Sequence, residues 1–419
     1  MRVLVVGGGG REHAICWALQ KSPKIGELYC APGNGGIASV AECVPIGVHQ
    51  FEEIGQFALD KKIDLVVIGP DDPLAAGIVD HLEAKNLKVF GPRQNAAIIE
   101  GSKVFTKELL KKYSIPTAAY ESFEQYDAAA AYLDQLRAPY VIKADGLAAG
   151  KGVIIAQSKE EAEQALREIM VDKIFGESGN QVVIEEFLTG QEMSILAFVD
   201  GETVKPMTPA QDHKAVYDGD KGPNTGGMGT YTPLPHIPQS IIDEAIETIV
   251  KPTAKAMVSE GRPFRGVLFA GLMITPEGPK TIEFNARFGD PETQVVLPRL
   301  QTDLLEIFVA TVEGRLGELD IQWSDEAAVC VILASEGYPG PYPKGLPIEG
   351  LEQVTDALVF HAGTAIQDGA VVTNGGRVLG VTALGRDIAE ARSKAYAAAD
   401  GIRFDGKHYR TDIAKKALV

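Results

Sequence analysis

Short apolar runs alternate with amphipathic segments through the first hundred residues. The run VLVV leads into four glycines and the helical segment REHAICWALQ, and the run IDLVVIG precedes the helical segment LAAGIVDHLEAK. This alternation predicts a parallel sheet with helices on its faces. Glycines and prolines follow the strand ends, where open α/β sheets bind ligands. We therefore expect residues 1–100 to form an open parallel α/β domain.

Two further units follow from the same kind of pattern. After the first domain come a compact α+β stretch at 122–189 and two antiparallel strands joined by an Asp-Gly turn. A polar, glycine-rich loop at 211–230, a helical stretch at 239–260 and two more strands follow. The C-terminal part is rich in strands and has one long helix. We predict a central domain at 101–326, with 122–189 as its lid, and a small β-rich, barrel-like domain at 327–419.

Three polar side chains alternate with apolar ones in the segment TIEFNARFGDPETQ. Glu283, Asn285 and Arg287 are two residues apart, so in a strand they lie on one face. Carboxylate and amide oxygens suit Mg²⁺, whose remaining ligands are usually phosphates and water. An arginine beside them suits a phosphate or a developing oxyanion. A solvated strand face shows the same alternation, so the pattern alone leaves both interpretations open.

The segment VIKADGLAAGKGV joins a strand to a second strand through glycines and a lysine. Glycine lets backbone N–H groups turn toward an anion, and lysine adds positive charge. We expect a phosphate-binding hairpin, although not a P-loop, because Gly152 stands where that motif has Ser or Thr. The alternative is an ordinary glycine-rich turn. The residues concerned are Lys143, Asp145, Gly146, Gly150, Lys151 and Gly152.

Two other segments carry weaker signals. VVIEEFLTGQE ends a strand and can offer backbone groups to an adenine edge, with Glu192 accepting from ribose hydroxyls, although solvated glutamates explain it equally. The segment 211–233 is too polar for a core, and long ordered loops are usually functional. Asp212, His213 and Lys214 would supply its donors and acceptors. The alternative is a mobile surface loop.

Glycines also follow the first two predicted strands, in VVGGGGREH and CAPGNGG. The dinucleotide motif G-x-G-x-x-G fails here, because Glu12 occupies its last position. Both glycine groups should lie at the carboxyl edge of one sheet, where the following helix presents N–H groups to a phosphate. The alternative is that these glycines only make tight turns.

Composition and charge indicate which classes of protein this chain does not resemble. The 419 residues are 45% hydrophobic and 23% charged, which is ordinary for globular proteins, and the net charge of −17 argues against a nucleic-acid binder. The four cysteines are far apart in sequence, which predicts neither a disulfide framework nor a zinc site and fits a reducing cytoplasm. No apolar run reaches the ~18 residues of a membrane helix.

The motifs occur in an order that closely resembles one family. GSKVFTK, KADGLAAGKG, EEFLTGQE, QDHK with NTGGMG, EFNARFGDPETQ and GRVLGVTALG follow one another along nearly the whole chain. Together they resemble the phosphoribosylamine–glycine ligases, or glycinamide ribonucleotide synthetases, of the ATP-grasp superfamily. The resemblance implies that ATP phosphorylates glycine to glycyl phosphate. The amine of 5-phosphoribosylamine then attacks it, giving glycinamide ribonucleotide, ADP and phosphate in the second step of purine synthesis.

The resemblance also implies a role for each matched residue. Glu283 and Asn285 would hold Mg²⁺ or Mn²⁺, and Arg287, with Asp212 and Lys214, would act on the transferred group. ATP would be bound by Lys103, Lys143, Asp145, Gly146, Gly150, Lys151, Gly152, Glu185, Glu186, Leu188 and Glu192. The glycine and phosphoribosylamine substrates would be bound by Gly8, Gly9, Gly10, Asn34, Gly35, Gly227 and Gly229. We expect a monomer without nucleic-acid or membrane partners.

Two departures from the family and three rival functions bear on this interpretation. Asp71 stands where the family usually has a glutamate, and GVLFAGLMIT lacks the acid that many ATP-grasp relatives carry on the strand before the metal strand. The rivals are another ATP-grasp ligase or carboxylase, a nicotinamide- or flavin-dependent oxidoreductase, and a non-catalytic nucleotide sensor. The failed dinucleotide motif and the row Glu283, Asn285 and Arg287 argue against the last two.

Overall fold

The computed structural model describes residues 1–148 and 151–418. The N-terminal part is the predicted parallel sheet, with strand order β3-β2-β1-β4-β5. Its strands are apolar on both faces because helices cover both sides. The strands are β1 (Arg2–Gly7), β2 (Glu27–Pro32), β3 (Glu42–Cys43), β4 (Leu65–Ile68) and β5 (Val89–Phe90). The helices are α1 (Gly10–Gln20), α2 (Phe51–Asp60), α3 (Asp71–Ala75), α4 (Ile78–Glu83) and α5 (Gln94–Gly101).

One predicted N-terminal helix is in fact two. The segment LAAGIVDHLEAK is split between α3 and α4 at Gly77, whose φ of +91° is left-handed. Glycine adopts this conformation without the steric cost of a Cβ, so the chain turns there instead of continuing the helix.

The predicted lid is a separate antiparallel sheet with helices on one side. Its strand order is β6-β9-β7-β8, and its apolar side chains form a cluster of their own, which includes Ile142, Leu166 and Ile184. The chain enters it through α6 (Lys103–Lys112). The lid elements are β6 (Tyr120–Phe123), α7 (Tyr126–Tyr132), β7 (Tyr140–Ala144), β8 (Val153–Ala156), α8 (Lys159–Met170) and β9 (Val182–Glu186).

The central part follows the lid. It begins with the predicted pair β10 (Gln191–Asp200) and β11 (Thr203–Pro206). The segment predicted as a loop at 211–230 instead contains four short strands, because several of its apolar side chains, Val216 and Met228 among them, are buried. These strands are β12 (Gln211–Asp212), β13 (Ala215–Tyr217), β14 (Lys221–Asn224) and β15 (Gly229–Thr232).

Next comes the long helical stretch and the second strand pair. The central antiparallel sheet has the order β11-β10-β16-β17. Its edge strand β17 contacts the lid, since Lys143 donates to the carbonyl of Ile282. The elements are α9 (Gln239–Ala245), a π-helical turn (Ile246–Val250), α10 (Lys251–Ser259), β16 (Arg265–Thr275), β17 (Gly278–Asn285), α11 (Thr293–Val296) and α12 (Leu304–Val312).

The C-terminal part is an open antiparallel sheet rather than the expected barrel. Its order is β12-β15-β18-β22-β19, and no barrel closes within residues 1–148 and 151–418. Two of its strands, β12 and β15, precede residue 327, so this sheet is built from both sides of the expected boundary. The remaining elements are β18 (Ala327–Ala334), β19 (Leu358–His361), β20 (Thr364–Gln367), β21 (Ala370–Thr373), β22 (Arg377–Gly385) and α13 (Ile388–Gly401).

None of the described helices is both long enough and apolar enough to cross a membrane. All four cysteines, Cys16, Cys30, Cys43 and Cys330, are free thiols.

Candidate active site

A cleft of about 550 Å³ lies between the lid, the central sheet and the end of α5. Its floor is β17, where Phe284 and Ala286 point into the core and are at most 2% exposed. The polar residues that alternate with them, Glu283, Asn285 and Arg287, line the cleft, as the alternation in the sequence predicts. The predicted residues that line it are Lys103, Lys143, Gly146, Lys151, Gly152, Glu185, Lys214, Glu283, Asn285 and Arg287.

A buried carboxylate that the sequence analysis did not single out, Glu100 at the end of α5, holds the row in place. It accepts hydrogen bonds from Asn285 Nδ2 at 3.0 Å and from the N–H of Ala286 at 2.7 Å. Its Oε1 also pairs with Arg287 Nη2 at 3.1 Å. Burial raises the pKa of Glu100 above its ordinary value, while Arg287 opposes that rise. A carboxylate accepts only, so the amide of Asn285 must present its nitrogen to Glu100 and its oxygen to the cleft.

The row fits a hard divalent cation. The Asn285 oxygen faces the cleft, and no described side chain pairs with the carboxylate of Glu283 beside it. Among the described residues, no three His, Cys, Asp or Glu side chains converge on one point. Two oxygen ligands from one strand suit Mg²⁺, which commonly takes one or two protein ligands and completes its shell with phosphates and water. Such an ion would need a bound phosphate to be held firmly.

Two lysines share one buried carboxylate across the cleft. Lys143 Nζ lies 2.9 Å from Glu185 Oε1, and Lys107 Nζ lies 3.1 Å from Glu185 Oε2, with all three side chains at most 5% exposed. Burial lowers the pKa of Lys107 to about 8. With both lysines charged, the trio carries one excess positive charge in a place where water cannot screen it. Such an excess favours an anionic ligand.

The glycine-rich hairpin joins this site through its first residues. Lys103 Nζ donates to the carbonyl of Gly146 at 2.6 Å, and burial lowers the pKa of this lysine. Asp145 accepts from Ser102 Oγ at 3.2 Å and from the N–H of Val104 at 3.1 Å. Asp145 therefore caps α6 and ties the lid to it. Lys151 and Gly152 line the cleft, whereas the predicted Gly150 lies outside the described residues.

Three of the four residues expected to meet adenine and ribose lie away from the lining of this cleft. The N–H of Glu186 donates to the carbonyl of Ala119 at 2.9 Å, and its Oε1 accepts from the N–H of Ala119 at 3.0 Å. Leu188 is half-buried, and Glu192 is exposed. Of the residues expected around the base, Glu185 alone lines the cleft.

An acidic group meets a basic one beside the cleft, where Lys214 belongs to the lining. Asp212, which is 3% exposed, pairs with Lys214 at 3.1 Å. A Cβ on Gly227 would lie 2.7 Å from Asp212 Oδ1 and 2.5 Å from Pro291 Cδ, so the close packing here depends on glycine. The predicted Gly229 instead packs inside β15, where a Cβ would meet Ile413 and the carbonyl of Cys330.

The N-terminal glycines and Asn34 join the N-terminal sheet to the C-terminal sheet. The side chain of Asn34 donates to the carbonyls of Gly8 at 3.0 Å and His361 at 2.8 Å, and the N–H of Gly35 donates to Thr364 O at 3.3 Å. The N–H of Gly9 donates to Glu12 Oε2 at 2.8 Å. Neither Asn34 nor any of Gly8, Gly9, Gly10 and Gly35 lines the cleft.

Three successive segments of the chain match the domain models of one family. Residues 1–100 match the N domain of phosphoribosylglycinamide synthetase, residues 101–293 its ATP-grasp (A) domain and residues 328–416 its C domain. The phosphoribosylamine–glycine ligase of Caldanaerobacter subterraneus subsp. tengcongensis is 54% identical over 414 residues, which are 99% of each chain. The chain belongs to this family. The resemblance found in the sequence is therefore confirmed.

Solved structures agree with this phosphoribosylglycinamide synthetase assignment. The crystal structure of phosphoribosylamine–glycine ligase from Thermotoga maritima superposes with a TM-score of 0.86 at 39% identity, covering 98% of this chain and 100% of that one. The biotin carboxylase domain of the Hydrogenobacter thermophilus 2-oxoglutarate carboxylase reaches 0.74 at 17% identity, covering 97% and 91%, which shows a shared fold alone. The expected fold class, with a central ATP-grasp fold, is confirmed. The family match favours the ligase over the oxidoreductase and sensor interpretations.

Three residues that line the cleft were missed in the sequence analysis. Lys107 lies one helical turn after Lys103, so their i, i+4 spacing places both on one face of α6 and could have identified it. Glu292 stands in the motif EFNARFGDPETQ and could have been singled out there, whereas Glu100 carries no such signal, because only the folded chain brings the end of α5 to the cleft.

Proposed function

We propose that this chain joins glycine to 5-phosphoribosylamine, with ATP forming glycyl phosphate on the way, and releases glycinamide ribonucleotide, ADP and phosphate. The observation that carries the proposal is the row Glu283, Asn285 and Arg287, which faces Lys103 and Lys143 across one cleft. Family membership supports the same reaction, the second step of purine synthesis.

In this proposal the cleft binds the triphosphate of ATP. Lys103, Lys143 and the hairpin residues Gly146, Lys151 and Gly152 would surround the phosphates, and Glu283 with Asn285 would hold Mg²⁺ or Mn²⁺. When bound, the cation would neutralise phosphate charge. The remaining ATP contacts that we propose are to Gly150, Glu185, Glu186, Leu188 and Glu192. Asp145, which was expected to bind ATP, accepts hydrogen bonds from Ser102 and Val104, so we assign it to holding the glycine-rich hairpin against α6.

The chain's own groups then position and stabilise the reacting atoms. Arg287, held by Glu100, is aimed at the transferred phosphoryl group and the acyl oxygen, where negative charge develops. Asp212 and Lys214 form the polar end of the cleft, where the small substrate glycine fits beside Gly227. The lid excludes water, which would hydrolyse an acyl phosphate. No nucleophilic side chain is required.

We place the phosphate of phosphoribosylamine at the N-terminal edge, near the start of α1. Gly8 and Gly9 precede this helix and Gly10 begins it, and the first N–H groups of a helix favour an anion. The structure requires one refinement. The amide of Asn34 is already engaged between the two sheets, so we assign it, with Gly35, to holding this edge in shape.

We further propose the domain limits 1–100, 101–326 and 327–419, with 122–189 as the lid, and a monomer that works in the cytoplasm. The separate apolar cluster of the lid supports its independence. Light scattering of the purified chain would test the monomer.

An ADP-release assay tests the function directly. We expect release that requires glycine, Mg²⁺ and phosphoribosylamine generated in situ. Glu283→Gln should lower the rate strongly and raise the magnesium requirement, because it removes charge from the metal row. Glu277→Gln is the matched control, because Glu277 is an exposed glutamate in the turn that joins β16 to β17, the strand that carries Glu283. A Glu283→Gln variant with the wild-type rate and magnesium requirement would show that the metal assignment is wrong.

A further inference from the structure

One carboxylic acid in the cleft has no assigned role. Glu292 is 2% exposed, yet it lines the cleft together with Arg287 and Lys214. Within residues 1–148 and 151–418, no side chain donates a hydrogen bond to its carboxyl group. A buried carboxylate is normally hydrogen-bonded, because leaving it without a partner is costly. Its own backbone N–H supplies one hydrogen bond, so the carboxyl group keeps acceptor capacity for a group that enters the cleft.

Backbone packing fixes the direction of the side chain. A Cβ on Gly289 would lie 2.5 Å from Glu292 Oε2 and 2.9 Å from Phe269 Cε2. The carboxyl group thus lies directly on the Gly289 backbone, in space that any larger residue would fill. Phe269 also lines the cleft, so the acid lies at the cleft wall between an aromatic ring and a bare backbone.

The position of Glu292 relates it to both proposed substrates. Asp290, two residues earlier, accepts from the N–H of Arg11 in α1 at 3.4 Å and pairs with Arg377 at 3.5 Å. The segment that carries Glu292 therefore runs from the phosphoryl-transfer row to the N-terminal edge. Glu292 and Arg287 line the same cleft, in which an amine that enters from that edge would meet an acyl phosphate.

We propose that Glu292 accepts the proton that the amine of phosphoribosylamine loses as it attacks glycyl phosphate, an inference that rests on the function proposed above. In this step the amine nitrogen forms a bond to the glycyl carbonyl carbon. The bond from that carbon to the phosphate oxygen breaks, and its electron pair leaves with inorganic phosphate. The nitrogen proton moves to the Glu292 carboxylate and is later released to solvent.

The charges around Glu292 suit a proton acceptor. Burial first, and then the charge of Asp212, raise the pKa of Glu292 to about 7. Lys214 opposes the rise, and Asp290 adds to it. The charge of Glu292 also raises the pKa of Arg377, so the two groups interact. A base whose pKa lies near the working pH combines the correct charge state with useful basicity. Asp212 is then a positioning residue that keeps Glu292 basic.

The test separates the two halves of the reaction. Hydroxylamine, a stronger nucleophile that needs less help with proton removal, traps glycyl phosphate as glycyl hydroxamate. For Glu292→Gln we expect a fall of about 10²–10⁴-fold in kcat with phosphoribosylamine, as general-base removal typically gives. Hydroxamate formation and the KM for glycine and ATP should stay at wild-type values. Glu306→Gln, at an exposed position on α12, is the control and should change neither rate.

The pH profile gives a second readout. For the wild type, kcat should rise with pH through about 7 and level off, because the carboxylate form is the base. Glu292→Asp keeps the charge and should recover part of kcat with a shifted profile. If Glu292→Gln does not fold, Glu292→Asp is the test. A Glu292→Asp variant with the same pH profile and the same kcat as the wild type would overturn the proposal.

Other outcomes also decide between explanations. Equal loss of hydroxamate and of ligation in Glu292→Gln would place the residue in glycine activation and overturn the proposal. A raised KM for glycine with unchanged kcat would make Glu292 a binding group for the glycine ammonium, which also overturns it. A wild type that forms hydroxamate but no glycinamide ribonucleotide would instead contradict the proposed acceptor.

Discussion

Glu100 contacts three groups on which the proposed phosphate site depends. It fixes the amide of Asn285, the N–H of Ala286 and the guanidinium of Arg287. We expect Glu100→Gln to raise the magnesium concentration for half-maximal activity by ~10–100-fold, the usual cost of removing a group that orients a metal ligand. The measurement is a magnesium titration of ADP release.

The control for Glu100 is Glu83→Gln. Glu83 is more exposed and pairs with exposed Arg93 in the same part of the chain, so its change should leave the titration unaltered. Equal magnesium dependence in Glu100→Gln and wild type would mean that Asn285 needs no support from Glu100.

Gly227 tests the proposed glycine site beside Asp212. Its φ is +122°, and a Cβ there would lie 2.5 Å from Pro291 and 2.7 Å from Asp212. We expect Gly227→Ala to displace Asp212 and to raise the KM for glycine, with a smaller effect on the KM for ATP. Gly201→Ala is the matched control, because Gly201 also has positive φ but has nothing within 4 Å of its Cβ position. A raised KM for ATP alone would move the glycine site elsewhere.

At the residue scale the alternation along β17 was predictable from the sequence, although the strand ends at Asn285 and Arg287 lies just beyond it. Glu283, Asn285 and Arg287 are recognisable because alternation is a local property of the chain. Glu100 could not be found in this way, because it meets the row through contacts between distant segments. For Asn34, which was predicted to bind substrate, the structure adds what the sequence could not give: its side chain donates to carbonyls of both the N-terminal and the C-terminal parts.

The lid is the element with the clearest expected motion. It has its own apolar cluster, and bonds from Lys103 to Gly146 and from Lys143 to the Ile282 carbonyl join it to the cleft. We expect ATP with Mg²⁺ to slow hydrogen exchange of the amides of residues 145–148 and 151–152, because lids of this kind close over bound phosphates. Mass spectrometry of exchanged peptides measures it.

Helix α13 provides the internal control, since it packs on the C-terminal sheet far from the lid in sequence and should exchange equally with and without nucleotide. Unchanged exchange in the hairpin, with ATP bound by an independent measure, would count against its role as a phosphate cradle.

Whole elements were predicted where apolar periodicity is strong. The parallel strands, the lid and the pair β16 and β17 follow from runs that bury one or both faces. Within residues 211–230 the apolar positions are too scattered to predict strands. β15 forms because it pairs with β18, and β12 forms because it pairs with β15. The barrel expectation failed for the same reason, since sheet closure depends on contacts between distant strands.

At the scale of the molecule, the N-terminal and C-terminal sheets meet through a buried pair of histidines. The N–H of His361 donates to His13 Nδ1 at 2.7 Å, and His361 Nδ1 lies 2.9 Å from Thr364 Oγ1. Trp17, on the same helix as His13, makes an edge contact with Phe360 at 5.7 Å. The fluorescence of Trp17 therefore reports whether this contact between the two sheets is intact.

We expect this contact to weaken in acid. Burial lowers the pKa of His13 to about 3, with help from His361, and lowers that of His361 to about 4. In the unfolded chain both titrate near about 6.5. Below that pH the unfolded state binds more protons than the native state, so stability falls as the pH drops from about 6.5 to about 4. Each histidine then contributes a loss of up to ~1.4 kcal/mol per pH unit.

Urea titrations at about pH 7.5 and about pH 5, followed by Trp17 fluorescence in a Trp323→Phe background, measure this loss. The urea midpoint should fall at the lower pH. His13→Asn should show a smaller fall, because its side-chain oxygen can accept the same hydrogen bond from His361 but takes up no proton. Buried carboxylic acids with a raised pKa, such as Glu292, stabilise the folded protein as the pH falls. This contribution is the same in the parent and in His13→Asn, so it cancels when their two pH shifts are compared. Equal pH shifts in both would mean that another group governs the acid sensitivity of this contact.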